Sequence, residues 1–82
     1  MLKKEMTNIQ ISLVESLTSE LVAMVRQRLA VSLVAAMRIV YGSDTFKALC
    51  DEQTGLYKSS ALELYSILDD ERRYGKMISS IS

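Results

Sequence analysis

The chain has 82 residues, with ten Lys and Arg against ten Asp and Glu, no histidine, no proline, one cysteine and 49% hydrophobic residues. That length bounds it to one domain with a small core, 1–82, and a lone cysteine rules out an intrachain disulfide. Without histidine, neither a tetrahedral zinc site nor ordinary general acid–base catalysis is expected, and balanced charge lacks the basic excess of a nucleic-acid binder.

The chain starts on a basic Met1-Leu-Lys-Lys, but Glu5, Thr7, Asn8 and Gln10 interrupt any apolar export segment. The expectation is a cytoplasmic protein. Thr7 to Gln10 has the spacing of a capping box. From there Ile9, Leu13, Leu17, Leu21, Met24 and Arg28 recur at helical spacing, and Val14, Val22, Val25 and Leu29 widen the stripe. This pattern predicts a first helix over residues 8–28. Its apolar stripe is broad enough for two neighbours.

The most informative stretch is 29–41 (LAVSLVAAMRIVY), where only Ser32 and Arg38 are strongly polar. A helix apolar on nearly every side must be covered on nearly every side, and a chain this short has little material to do so. No glycine or proline forbids one continuous helix over 7–41, but the preferred reading is a break at 29–32, with Ser32 as N-cap, that separates this second helix, 33–41, from the first. Gly42 is expected to end it as a left-handed C-terminal residue. Ser43 or Asp44 opens a short third helix through Phe46, Leu49 and Cys50, with Lys47 and Asp51 spaced for an ion pair. Asp51 to Tyr57 reads as a loop in which Gly55 takes positive φ. Ser60 and Glu63 form a second capping box, opening a helix whose buried stripe is Ala61, Leu64, Tyr65, Ile67 and Leu68. Asp69 and Arg73 are spaced for an exposed pair. Residues 1–6 and 76–82 are expected to fray, with Met77, Ile78 and Ile81 available to dock on a partner.

Chemistry is sparse. The carboxylate groups Asp51/Glu52 and Asp69/Asp70/Glu71 adjoin loops or helix ends with no apolar pocket to tune them. Cys50 has only Lys47 one turn away and reads better as a packed core residue than as a nucleophile. Gly42 to Thr45 has too few glycines for a phosphate loop. A helix–turn–helix over 33–49 would offer Asp44, Thr45 and Lys47 to DNA and little else, although Arg26, Arg28 and Arg38 form a small basic group. The tyrosines read as pins between short helices, with Tyr57 and Tyr74 as alternative partner anchors.

The run 40–49 (VYGSDTFKAL), then 51–57 (DEQTGLY) and 59–65 (SSALELY), resembles a family of short, uncharacterised helical bacterial proteins. Their shared pattern is Tyr-x-Ser-x-Thr-Phe-x-x-Leu, Thr-Gly-Leu-Tyr and a Ser-capped helix. The resemblance spans roughly residues 29–70 and departs from the pattern at Leu33 and Val34, where an acidic residue usually follows the serine. It implies that Ser43, Thr45, Phe46, Leu49, Gly55, Leu56 and Tyr57 determine the fold. It also implies an accessory, antitoxin-like setting, since some members are encoded beside small putative toxin or ADP-ribosyltransferase-like genes. It transfers no catalytic residue.

The resulting expectation is an all-α bundle of about four helices, a long N-terminal helix packed on a compact unit of three shorter ones. It would be a protein–protein interaction module, not an enzyme, that forms a homodimer through Leu13, Leu17, Leu21, Met24, Val25 and Met37. An antitoxin-like or adaptor subunit binding a different protein is the alternative, and a DNA-binding regulator the third reading. No cofactor, metal, small-molecule substrate or membrane partner is expected.

Overall fold

The computed structural model describes residues 7–75. In chain order these form α1 (Asn8–Leu29), α2 (Leu33–Tyr41), α3 (Asp44–Cys50), 3₁₀ turns at Glu52–Thr54 and Leu56–Lys58, and α4 (Ala61–Tyr74). The fold is all-α, with the long first helix packed against three shorter ones. Residues 1–6 and 76–82, including Met77, Ile78 and Ile81, lie outside the described residues.

Both capping boxes form. The Gln10 N–H donates to Thr7 Oγ1 at 3.2 Å while the Thr7 N–H donates to Gln10 Oε1 at 2.8 Å. Ser60 and Glu63 repeat the exchange at 3.1 and 3.0 Å. Each satisfies two amides that a helix start leaves without partners. The Gln10 side-chain amide then donates to the Tyr57 hydroxyl at 2.9 Å, tying the beginning of α1 to the second 3₁₀ turn.

α1 spans about 33 Å at 1.5 Å per residue. It stops at Ala30, whose backbone is left-handed (φ 53°, ψ 46°) and whose N–H returns to the Arg26 carbonyl. The Val31 N–H reaches the same carbonyl at 3.2 Å. A Cβ in this region costs on the order of 1 kcal/mol, so the corner needs support from the helix beyond it. Ser32 caps α2 through the Ala35 N–H at 3.1 Å, and α2 turns back onto α1.

Two expectations about turns need correction. Gly42 is not left-handed; its φ and ψ are −89° and 2°. The chain runs almost directly into α3, with the Ser43 N–H on the Val40 carbonyl at 3.2 Å, so no left-handed residue is needed. The glycine serves a close approach instead: a Cβ there would sit 3.0 Å from the Arg38 carbonyl oxygen. Lys47 pairs with Asp44 at 3.8 Å rather than with Asp51, because Asp51 is the extended C-cap beyond α3 and lies off the helical spacing. Gly55 does take the expected positive φ, 71°, between the two 3₁₀ turns. The Asp69–Arg73 pair forms at 3.1 Å.

The core is one cluster in which Leu21, Val25, Ala36, Val40, Leu49, Leu64 and Leu68 are essentially closed to solvent. Leu29, Val31, Ile39, Phe46, Leu56, Tyr57, Ala61 and Tyr65 pack around it. The buried face of α1 runs through Val14, Leu17, Thr18, Leu21, Val22 and Val25. It is rotated from the expected stripe: Ile9 and Leu13 are exposed and Met24 is half-buried.

Candidate functional site

Of the carboxylates, one has a definite task. Glu71 on α4 accepts from the Asp44 N–H at 2.8 Å, the Thr45 N–H at 2.9 Å and the Thr45 hydroxyl at 2.8 Å. One side chain thereby satisfies two free amides at the start of α3 and the hydroxyl of a fully buried threonine. Partial burial pushes the Glu71 carboxyl up, but these three hydrogen bonds and nearby Lys47 outweigh it, so its pKa lies below the ordinary glutamate value. A carboxylate held ionised and engaged in this way is a structural clamp.

The other candidates offer no more chemistry. Asp69 is occupied by Arg73 and Asp51 by a backbone amide. Cys50 is exposed, correcting the expectation of a packed core cysteine; Leu49, one residue earlier, takes the core position of α3. Its thiol pKa is raised by desolvation, the opposite of nucleophile activation. For DNA, the start of α3 would be the recognition end of a helix–turn–helix, and it carries Asp44 and the Glu71 carboxylate. Two carboxylates there suit a phosphate backbone poorly. Nor do the arginines gather: Arg28 lies over the Tyr65 ring at 5.1 Å, whereas Arg26 faces a groove on α1.

That groove is an open concavity of about 850 Å³ between α1 and α2. Its α1 side is a stripe at helical spacing, Val14, Thr18 and Val22 on the floor with Glu15, Ser19, Ala23 and Arg26 above. Thr18 satisfies its own hydroxyl on the Val14 carbonyl at 2.6 Å, as helical threonines do, which leaves the floor without a free hydroxyl. The α2 side is Leu33, Met37 and Tyr41, one turn apart, and they are 47%, 38% and 48% exposed. Tyr41 meets Phe46 of α3 edge-on, ring centres 5.0 Å apart, so that wall is braced.

Of the six residues expected at an interface, the structure brings only Met37 into the groove. Leu17, Leu21 and Val25 are corrected: they belong to the protomer's own core and have almost no surface left to offer. Leu13 is exposed and Met24 half-buried, neither in the groove. The residues that sequence reasoning missed are Thr18, Ser19 and Ala23, which are small or polar and carry little hydropathy signal. Their spacing with Val14 and Val22 is the mark that could have found them. Among the described residues no helix is long and apolar enough to cross a membrane. No family model, curated protein or solved structure matches this chain.

Proposed function

We propose that the chain is a small protein–protein interaction module, with no catalysis of its own, that self-associates as a homodimer through the α1–α2 groove. The observation that carries this reading is the row Leu33, Met37 and Tyr41, left open to solvent beside an apolar floor. Single exposed apolar residues need no explanation, but a continuous groove of them marks a contact surface. Glu15 and Arg26, one of each sign on the same face of α1, supply a complement that a second copy would bring. The bacterial setting of this proposal rests on the sequence resemblance over residues 29–70.

Sedimentation equilibrium over a micromolar concentration series tests it. The wild-type chain is expected to show a monomer–dimer equilibrium. Met37→Asp, which places a charge on the apolar wall without touching the core, should be monomeric with unchanged helicity. A wild-type chain that stays monomeric across the series overturns the proposal. If it then co-purifies with a stoichiometric foreign protein, the antitoxin-like or adaptor reading takes its place.

A further inference from the structure

We infer that the second copy docks antiparallel, α1 against α1, with the two-fold axis passing between Ser19 and Val22, so that Glu15 of each protomer faces Arg26 of the partner subunit. This rests on the homodimer reading and adds its geometry. Glu15 and Arg26 both border the groove. They stand eleven positions apart, roughly three helical turns, so they share one face of α1 about 16 Å from each other. Among the described residues neither has an ion-pair partner.

A two-fold contact is self-complementary: if residue i meets j, then j meets i. An antiparallel crossing midway between Glu15 and Arg26 therefore makes two opposite-charge contacts at once. A parallel crossing in register would set Glu15 against Glu15 and Arg26 against Arg26. Between the two charges the exposed residues that line the groove are Ser19 and Ala23, while the exposed Ser16 and Glu20 lie farther around the helix. The small Ser19 and Ala23 let two helix axes approach to the close end of the usual 8–10 Å range. Leu33, Met37 and Tyr41 then flank the visiting helix on its open side. The chain thus carries both halves of the lock, and the charges set the direction in which they meet.

Charge exchange reads this directly. In a homodimer of Glu15→Lys, or of Arg26→Glu, both contacts become like-charged. Each variant is expected to dimerise about tenfold more weakly than wild type at low salt, with the gap narrowing as ionic strength rises. An equimolar mixture of the two variants restores opposite charges at both contacts, so native mass spectrometry should show the mixed dimer dominating at near wild-type affinity. The double variant should recover likewise. Both positions are exposed, and an unchanged circular dichroism spectrum confirms that the variants fold. If wild type dimerises and Met37→Asp abolishes it, yet the charge variants bind like wild type or fail to rescue each other, the antiparallel register is wrong and the homodimer stands. If wild type is monomeric throughout, both fall.

Discussion

The two helix corners of this protein solve opposite problems. At the α2–α3 corner, polar groups close on themselves: Ser43 caps α3 through the Phe46 N–H at 3.0 Å and donates to the Val40 carbonyl at 2.6 Å. Glu71 takes the Asp44 and Thr45 amides from across the fold. Among the described residues, no buried side-chain nitrogen or oxygen lacks a partner. At the α1–α2 end, the backbone turns through a left-handed alanine, and the two helices meet over a groove whose apolar wall stays wet. One end is finished within the chain and the other is left open. The contrast teaches that polar satisfaction and apolar coverage are separate requirements. A small domain can meet the first completely while leaving part of its apolar surface open to solvent.

The contrast is tested most severely by cutting equal amounts of apolar side chain from the core and from the groove. Leu64→Ala, at a site closed to solvent, is expected to lower unfolding free energy by about 2–5 kcal/mol. Leu33→Ala, in the groove, should change it by no more than about 0.5 kcal/mol in a dilute, monomeric sample. Denaturant titration with constant m-values checks both, and similar losses at the two sites would mean that the groove is already filled.

Removing the clamp has the next largest effect. Glu71→Ala leaves the Asp44 and Thr45 amides and the Thr45 hydroxyl without their acceptor, and should cost about 1–3 kcal/mol. Its pH dependence has a definite sign. Because the folded carboxyl titrates below its unfolded value of about 4.3, the clamp's contribution is fully present above that value. It is lost as pH falls through the folded value. Wild type and Glu71→Gln should therefore converge in stability on acidification, and a difference that stays constant to acid would show that the charge does not matter.

The smallest effect concerns the other corner. Ala30→Gly removes the Cβ from a left-handed position. It should stabilise by up to about 1 kcal/mol, less what glycine loses in chain entropy. A thermal melt of the dilute monomer measures it. The same substitution at Ala35, inside α2, should destabilise instead.

Local chemistry written in neighbouring residues was legible in the sequence. Thr7 with Gln10, Ser32, Ser43, and Ser60 with Glu63 open their helices as expected, since a cap depends on residues three apart. Gly55 bends the chain where a positive φ is required. Leu64 and Leu68 face inward on α4, where the stripe is narrow and admits one orientation. Which side of α1 is buried was a matter of packing. Its apolar residues are spread so widely around the helix that periodicity fixes the element but not its rotation. Contact with α2 and α4 turned Leu17, Leu21 and Val25 inward and left Met37 outside. Folding also brought Glu71 to Thr45, 26 positions away in the chain, because a hydrogen bond between distant segments leaves no spacing to read. The groove, too, exists only in three dimensions, since its α1 ridge is built of small side chains that hydropathy passes over.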